Sequence, residues 1–357
     1  MENADQLKQT YQATTYKLSN NGPRNIAVLQ EAISGICGDE LSDIYGTGEI
    51  ITHFEEKIAR VLGLEGAVFF PSGTMAQQIA LRIWADRKQI PKVAYHPLAH
   101  LEIHEADGLK QIHHIETLLL GERDRVVTLA DIKALSQKVS CVLLELPQRE
   151  IGGQLPSFQE LVEISTYCKE HQIALHLDGA RLFEILPFYQ KEAKEVCALF
   201  DSVYVSFYKG LGGIAGAILA GPNDFLEEAK IWKRRYGGDL ISLYPYILSA
   251  DYYYEKRKDS MALYYEKAVE LAKQFNQLPG VRTIPEIPVS NMFHVEFLKP
   301  VLDVKARLAQ VHQETDIGVT GYLVEKDTNT SSFELTVGDA IFKIPPKELL
   351  HLFQVLS

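Results

Sequence analysis

Apolar segments rich in β-branched residues alternate with amphipathic segments through the first two thirds of the chain. Between the apolar segments, hydrophobic residues recur at every third or fourth position over 74–85 and 158–171, which predicts helices. Strands that alternate with helices form a mostly parallel sheet covered on both faces. We therefore expect an α/β fold with strands at 67–70, 93–95, 142–146, 173–177, 202–206 and 215–219.

The pattern changes near Pro245. A long helical stretch is predicted at 246–275, beginning after Pro245 and ending near Pro279 and Gly280. A strand, a helix, a second strand and a last helix follow, at 292–297, 304–313, 332–337 and 347–356. This order is typical of a compact α+β domain. We expect a large domain at 1–245, which includes the N-terminal segment, and a small C-terminal α+β domain at 246–357.

The composition limits the possible partners. Of 357 residues, 46% are hydrophobic and 23% are charged, which is enough apolar material for two ordinary cores. The formal net charge of -11, with basic residues scattered along the chain, argues against nucleic acid or an anionic membrane as a partner.

The four cysteines show no spacing typical of a zinc site or a disulfide scaffold, so no metal site is expected. Residues 1–17 are polar and lack the apolar segment of a secretory signal, and no apolar run is long enough to cross a membrane. A cytoplasmic protein is expected.

Three motifs follow predicted strands, at the edge where α/β sheets bind ligands. The first, Phe-Pro-Ser-Gly-Thr at 70–74, leads from a strand into a helix. Gly73 lets the backbone approach a ligand, and Ser72 and Thr74 can bind an anion at the start of the helix. The motif is consistent with a phosphate site, although many strand–helix loops have this composition.

The second motif is His-Leu-Asp-Gly-Ala-Arg at 176–181. Asp178 follows a strongly apolar strand, where a carboxylate can pair with a protonated ring nitrogen or can simply cap the next helix. Arg181 is a candidate for binding a substrate carboxylate.

The third motif places Lys209 after a strand and before a glycine-rich loop. A lysine beside apolar and glycine residues is poorly solvated, which lowers its pKa and favours Schiff-base chemistry. An isolated lysine is more often a solvated surface charge. What sets this pattern apart is the order: a phosphate motif, then Asp-Gly, then a lysine about thirty residues later.

With these motifs, nearly the whole chain resembles the threonine aldolase and β-eliminating lyase family of enzymes that depend on pyridoxal 5'-phosphate (PLP). The resemblance implies the aspartate aminotransferase-like fold, fold type I, with a mostly parallel seven-stranded sheet in the large domain. The matching segments are HLDGARLF (176–183), DSVYVSFYKGLGG (201–213), GAILAGP (216–222), IYG (44–46) and FFPSGTMAQQIAL (69–81).

The resemblance implies a role for each matching position. Lys209 would form a Schiff base with PLP and transfer a proton, and Asp178 would pair with the ring nitrogen. His100 would stack on the ring, with base catalysis as a lesser role, unless it is a surface or helix-capping imidazole. The residues implied for the cofactor phosphate are Ser72, Gly73 and Thr74.

On the substrate side, the resemblance implies that Arg181 binds the α-carboxylate. Tyr45 would reach the active site of a partner subunit, because the family forms homodimers, often paired into homotetramers. Ser19 lies where the family has a serine near the substrate carboxylate, although a plain surface serine is the simpler interpretation.

Four positions depart from the family pattern. Gln148 replaces a histidine near the substrate hydroxyl. Its amide can bind the substrate by a hydrogen bond to this hydroxyl but cannot act as a base near neutral pH. Tyr208 replaces the serine before the lysine, and Leu240 replaces an arginine. Phe333-Glu334 stands where a small-domain arginine is expected. Arg149, Arg234 and Arg235 are possible replacements for the missing cations. The chain is therefore expected to be a divergent member.

The activity implied is cleavage of the Cα–Cβ bond of a β-hydroxy-α-amino acid, such as threonine or allo-threonine, to glycine and an aldehyde. The departures leave three other reactions open on the same scaffold, namely β-elimination, decarboxylation and transamination. A non-catalytic regulator with this fold is a further alternative, although Lys209 and Asp178 would then have no purpose.

Overall fold

The computed structural model describes residues 2–357, with side chains from Gln6 onward. The strands are β1 (Tyr16–Lys17), β2 (Gly66–Phe70), β3 (Lys92–Tyr95), β4 (Glu116–Leu119), β5 (Cys141–Glu145), β6 (Ala174–Gly179), β7 (Ser202–Ser206), β8 (Ala217–Gly221), β9 (Val281–Ile284), β10 (Met292–Phe297), β11 (Ile317–Gly318), β12 (Val324–Asp327) and β13 (Thr330–Thr336).

Fifteen α-helices lie in this part of the chain. They are α1 (Glu2–Ala13), α2 (Ala27–Ile33), α3 (Glu49–Leu62), α4 (Gly73–Lys88), α5 (His100–Ile103), α6 (Gly108–His113), α7 (Leu129–Lys133), α8 (Phe158–Glu170), α9 (Leu182–Tyr189), α10 (Ala193–Cys197), α11 (Asn223–Arg235), α12 (Tyr244–Arg257), α13 (Met261–Asn276), α14 (Val301–Thr315) and α15 (Pro346–Leu356).

The chain forms two compact units. The larger contains Arg24–Glu150 and Leu155–Asp259, and the smaller contains Ile151–Gln154, Ser260–Ser357 and the described residues up to Pro23. This division differs from the predicted domains, 1–245 and 246–357, at both ends. The N-terminal residues join the C-terminal part because β1 pairs in parallel with β11. The predicted boundary at 245 falls inside α12, which belongs to the larger unit.

A seven-stranded sheet forms the centre of the larger unit, in the order β2-β8-β7-β6-β5-β3-β4. Only β8 runs antiparallel to its neighbours, so the expected mostly parallel sheet and α/β fold are confirmed. Every residue of β6 and β7 is buried, as expected for central strands covered on both faces. The edge strand β4 lacks a buried residue, and this weak apolar signal explains its absence from the prediction.

Helix α4 supports the site through its packing. Its buried residues recur at Ala76, Ile79, Ala80 and Ile83, and they belong to the main apolar core of the larger unit. Ser72 is its N-cap in an extended conformation, so the helix begins directly after the loop that follows β2. The start of α4 is therefore fixed at the end of the sheet.

Strands β5, β6 and β7 bring three polar side chains level with one another. The parallel register pairs Glu145 with Asp178, and Asp178 with Tyr204. Because the carboxyl ends of parallel strands lie at one edge of a sheet, these residues share the edge at which such folds bind ligands.

The smaller unit contains a four-stranded antiparallel sheet, β12-β13-β10-β9, with α1, α13, α14 and α15. The helical stretch predicted at 246–275 is helical in the structure, but it is interrupted. Helices α12 and α13 are separate, joined by a short 3-10 helix, Lys258–Ser260, which is polar and has no buried residue. Within residues 2–357, no helix has the length and apolar character needed to cross a membrane.

Candidate active site

A cavity of about 450 Å³, counted with the solvent space at its mouth, opens at the carboxyl edge of the large sheet. It lies within the larger unit. Six residues predicted from the sequence line this cavity together, although they come from four separate segments of the chain: Gly73, Thr74, His100, Asp178, Arg181 and Lys209.

Asp178 lies at the end of β6 and is 2% exposed. Its Oδ1 accepts a hydrogen bond from the Ala180 backbone N–H at 3.1 Å, and among residues 6–357 no other group donates to it. Burial raises the pKa of Asp178, because a buried carboxylate with one donor is poorly stabilised. A cationic group in the cavity would supply the missing stabilisation.

Glu145 is the neighbour of Asp178 on β5. Its Oε2 accepts hydrogen bonds from the His100 backbone N–H at 3.0 Å and from Gln148 Nε2 at 3.3 Å, and its Oε1 accepts one from the Arg149 N–H at 3.2 Å. Burial, together with the negative charge of Asp178, raises the pKa of Glu145. Two acids so close together titrate as a pair and resist carrying two charges.

The imidazole of His100 is held by a second buried acid. Nδ1 lies 3.0 Å from Oε1 of Glu105, whose side chain is 2% exposed and also accepts a hydrogen bond from Gln78 Nε2 at 2.8 Å. The hydrogen bond with Glu105 raises the pKa of His100. Because a carboxylate only accepts, the proton of the neutral ring lies on Nδ1, and Nε2 is left as the basic nitrogen.

Lys209 lies in the loop between β7 and β8. Its Nζ stands 5.3 Å from the centre of the Tyr208 ring, and its charge acts on both His100 and Asp178. The loop is closed by the Gly213 N–H, which donates to the Phe207 carbonyl at 2.7 Å. The lysine therefore belongs to a hydrogen-bonded turn, and it lines the same cavity as Asp178.

The predicted phosphate motif forms the cavity wall at the start of α4. A Cβ atom at Gly73 would lie only 2.0 Å from the Tyr204 hydroxyl oxygen, so this position excludes every side chain. Thr74 lines the cavity, whereas Ser72, the N-cap, is outside the lining and makes no side-chain capping bond. The first backbone N–H groups of a helix favour an anion.

Of the described residues, three predicted for substrate contact lie outside the cavity lining. Gln148 is buried, and its Nε2 donates to the Leu98 carbonyl at 3.0 Å as well as to Glu145. Ser19 belongs to the smaller unit, where its Oγ accepts a hydrogen bond from Asn20 at 3.3 Å. Tyr45 is 53% exposed in a turn with a φ of 49°.

The possible replacements for the missing cations differ in position. Arg149 lines the cavity. Arg234 instead pairs with Asp239 at 3.1 Å, and Arg235 lies 4.6 Å from the centre of the Trp232 ring. Of these three arginines, Arg149 alone lines the cavity, and its Nη1 also pairs with Glu150 at 3.2 Å.

The remaining departures are spread over the molecule. Tyr208 lines the cavity, and Leu240 is 39% exposed in the larger unit. Phe333 is buried in β13 of the smaller unit, and Glu334 follows it in the same strand.

A chain of buried hydrogen bonds, which was not predicted from the sequence, leads to the cavity. Trp84 Nε1 donates to Ser202 Oγ at 2.8 Å, Ser202 Oγ lies 2.7 Å from His176 Nδ1, and His176 Nε2 lies 2.7 Å from Gln77 Oε1. Burial lowers the pKa of His176 to about 3, so the ring is neutral. Ser202 donates to Nδ1 and Nε2–H donates to Gln77, which lines the cavity.

Two of the acids were also missed as site residues. Glu145 ends an apolar strand just as Asp178 does, so its position was a usable signal. Glu105 lies in a loop between α5 and α6, where no periodic pattern exists. Its role depends on a contact between side chains that only the folded chain creates.

The sequence profile of one protein family, described as beta-eliminating lyase, matches residues 27–297. The chain belongs to the beta-eliminating lyase family. A crystal structure of a Listeria monocytogenes protein, provisionally assigned as an L-allo-threonine aldolase, is 63% identical to the chain, with a TM-score of 0.98 and 99% of both chains covered.

Other relatives carry similar names. An Exiguobacterium protein, provisionally assigned as an aromatic amino acid beta-eliminating lyase/threonine aldolase, is 60% identical, with a TM-score of 0.97 over 98% of this chain and 99% of its own. The low-specificity L-threonine aldolase 1 of Arabidopsis thaliana is 26% identical over 289 residues, or 78% of this chain and 80% of its own length. The predicted family, a PLP-dependent lyase family of fold type I, is confirmed.

Proposed function

We propose that the protein is a PLP-dependent aldolase that cleaves the Cα–Cβ bond of a β-hydroxy-α-amino acid, releasing glycine and an aldehyde. The observation that carries the proposal is the arrangement of Lys209, Asp178, Arg181 and His100 around one cavity. The names of the relatives favour threonine and allo-threonine as substrates.

The residues around the cavity fit PLP. Asp178, a buried acid with a single donor, suits a protonated ring nitrogen, and Lys209 is the amine that would hold the cofactor. Gly73 and Thr74, at the start of α4, suit the phosphate, and His100 would lie against the ring. When bound, PLP supplies an electron sink for the charge that develops at the substrate Cα.

Arg181 would orient the substrate through a bidentate contact with its α-carboxylate. Which bond of Cα breaks depends on which bond stands perpendicular to the cofactor ring, so the position of this guanidinium controls the reaction. The side chain is 11% exposed, which limits its movement. Arg149, on the wall of the same cavity, is a second candidate for binding an anionic group of the substrate.

His100 is the base that the geometry supports best. Glu105 holds Nδ1, and Nε2 is left to accept the proton of the substrate β-hydroxyl as the Cα–Cβ bond breaks. Gln148, at the position of the histidine expected from the family, cannot replace it, because an amide does not accept a proton near neutral pH.

The test uses the purified protein supplied with PLP and a panel of β-hydroxy amino acids. We expect visible absorbance from lysine-bound PLP, together with equal amounts of glycine and aldehyde from at least one substrate. Lys209→Ala should abolish both, while Lys230→Ala, an exposed lysine outside the cavity, should leave both unchanged. A wild-type protein that binds no PLP would refute the proposal.

β-Elimination is the second candidate. It is favoured by one departure from the aldolase pattern, namely that Gln148 stands in place of the histidine expected near the substrate hydroxyl, with its Nε2 donating to Leu98 and Glu145. Release of ammonia and a keto acid from the same panel, without glycine, would establish elimination in place of aldol cleavage.

We infer that the protein is a homodimer or a homotetramer of such dimers. Asp43 is fully buried, and its carboxylate accepts hydrogen bonds from the backbone N–H groups of Leu243 at 2.7 Å and Tyr244 at 2.8 Å, which fixes the neighbouring turn. Several large apolar side chains are exposed on the segments that this contact joins, which suits burial by a second copy. They are Ile26, Ile33, Leu41, Ile44, Tyr45, Leu240, Ile241 and Tyr244.

In such a dimer, Tyr45 would reach the cavity of the partner subunit. Sedimentation of the wild type should give twice or four times the mass of the chain. Ile241→Asp should shift the mass towards one chain, whereas Ile231→Asp, another exposed isoleucine, should not.

We also propose a cytoplasmic location. Cys141, Cys168 and Cys197 are buried with free thiols, as expected of a protein kept in a reducing compartment. Localisation of the tagged full-length chain in its native cell tests this.

A further inference from the structure

We propose that Glu184 is a positioning residue that fixes Arg181 and the Lys209 loop relative to each other. The inference rests on the proposed function, because it assigns the alignment of substrate and cofactor to a residue that touches neither. Glu184 does not line the cavity, whereas Arg181 and Lys209 do.

Glu184 lies in the first turn of α9, and its side chain is 3% exposed. Its two carboxylate oxygens bind different partners. Oε2 accepts from Arg181 Nη1 at 3.2 Å, and Oε1 accepts from the Gly210 backbone N–H at 3.0 Å. Gly210 directly follows Lys209, so one carboxylate connects the substrate-binding side chain to the loop that carries the lysine.

The glycine at position 210 is explained by this contact. Its φ lies outside the left-handed region, so its backbone does not require glycine. A Cβ atom there would lie 2.2 Å from Oε1 and 2.4 Å from Cδ of Glu184. Gly210 is therefore the residue that allows the carboxylate to approach the backbone of the lysine loop.

The charge of Glu184 makes this connection rigid. A buried carboxylate is expensive to desolvate, and it stays ionised only when a cation and hydrogen-bond donors surround it. Arg181 and the Gly210 N–H both supply such stabilisation to Glu184, so movement of either away from the carboxylate weakens it. The guanidinium and the lysine loop thereby keep a constant separation.

This separation matters because the proposed reaction is sensitive to orientation. Arg181 would fix the substrate carboxylate and Lys209 would fix the cofactor, so a change in the distance between them rotates the scissile bond away from the perpendicular. A misplacement of about 1 Å is enough to lower a rate by about 100-fold.

Glu184→Gln tests the proposal, because it preserves the size of the side chain and removes the charge. We expect kcat to fall by about 10- to 100-fold, while KM changes by less than about threefold. The absorbance of bound PLP should be unchanged. The binding of glycine, measured by calorimetry on the PLP-loaded protein, should lose favourable enthalpy, because Arg181 is no longer held in place.

Asp131→Asn is the matched control. Asp131 is also an acid in the first turn of a helix, it also pairs with an arginine, Arg125 at 2.7 Å, and it also accepts from a backbone N–H, that of Thr128 at 2.8 Å. It lies outside the cavity lining. This variant should lower the melting temperature without changing kcat, KM or glycine binding.

Two further variants test the route through which Glu184 acts. Gly210→Ala should reproduce the kinetic effect of Glu184→Gln, since the new methyl group displaces the carboxylate. In a double-mutant cycle that combines Glu184→Gln with Arg181→Lys, the double variant should lose much less activity than the product of the two single losses predicts.

The outcomes separate this inference from the proposed function. If the wild type binds PLP and cleaves substrate, but Glu184→Gln and Gly210→Ala keep the wild-type kcat, only the positioning role is overturned. The positioning role would also be overturned if neither variant folded, or if both had a lower melting temperature with unchanged kinetics, as expected for Asp131→Asn. Glu184 would then have only a structural role. If the wild type binds no PLP, the proposed function itself fails.

Discussion

His176 and Asp178 lie two positions apart on β6, so their side chains leave the strand on the same face. Both are buried. His176 has a hydrogen-bond partner on each ring nitrogen, whereas Asp178 has one donor among the described residues. The hydrogen-bonding capacity of His176 is filled by the protein. Asp178 retains acceptor capacity for a cationic ligand, although the charges of His100 and Lys209 already act on it.

The two residues also respond to burial in opposite ways. Burial lowers the pKa of His176 and raises the pKa of Asp178, and in both cases it favours the neutral form of the side chain. For His176 the neutral form is the one that the surrounding hydrogen bonds need. For Asp178 the neutral form would be lost when a protonated ring nitrogen binds. An unsatisfied acid beside a satisfied histidine therefore distinguishes the functional position from the structural one.

The largest effect is expected from Asp178→Asn. The amide cannot stabilise a protonated ring nitrogen, so kcat should fall by about 100- to 1000-fold. The melting temperature without PLP should remain the same or rise, because a poorly stabilised buried acid is removed. Steady-state kinetics and thermal unfolding measure the two effects, and a kcat within about threefold of the wild type would contradict the role of Asp178.

The next effect is expected from His176→Leu. It leaves Ser202 and Gln77 without their buried partner, so the free energy of unfolding should fall by about 3 kcal/mol while kcat changes little. In the wild type, the histidine binds a proton only after unfolding, so its stabilising contribution is present above the unfolded pKa and is lost as the pH falls. The stability difference between the two proteins should narrow by about 2 kcal/mol from pH 7 to pH 5.

Denaturant unfolding of the two proteins at both pH values measures this difference. A constant difference would mean that folding does not change the pKa of His176.

Glu105→Gln is expected to act on the pH profile. Glu105 raises the pKa of His100, so its neutralisation should let His100 remain a base at lower pH. In the pH profile of kcat/KM, the acidic limb should shift to lower pH by about one unit. An unchanged limb in a folded variant would assign the limb to another group and remove His100 as the base.

The smallest effect concerns the phosphate motif, where one hydroxyl side chain lines the cavity and its neighbour does not. Thr74→Val should weaken PLP binding by about tenfold, whereas Ser72→Ala should change it by less than about threefold. Because Ser72 makes no side-chain capping bond, its replacement should also lower the stability of the protein by less than about 0.5 kcal/mol. Fluorescence titration with PLP ranks the two variants.

The same pair of residues indicates what the sequence can predict. Asp178 was identified because it follows an apolar strand and belongs to a family motif. His176 belongs to the same motif, but its partners Gln77 and Ser202 are 99 and 26 positions away along the chain. A contact between distant side chains leaves no periodic signal, so the hydrogen-bond chain could not be predicted.

The fold shows a similar limit. The strong apolar periodicity of the central strands and of α4 predicted them within a few residues. The two-residue pairing of β1 with β11 carries no pattern at all, and it decides where the N-terminal residues belong. Likewise, the break after Arg257 is a short polar segment inside a long helical pattern. Short elements and interruptions depend on packing, which periodicity does not record.

Gly73 and Gly210 have a consequence for redesign. At both positions the space of a Cβ atom is already filled by a neighbouring side chain, Tyr204 at one and Glu184 at the other. In a library of variants intended to change substrate preference, substitutions at these two positions would therefore yield few useful variants. Substitutions intended to change substrate preference are better placed at Arg149 and Tyr208, whose side chains line the cavity.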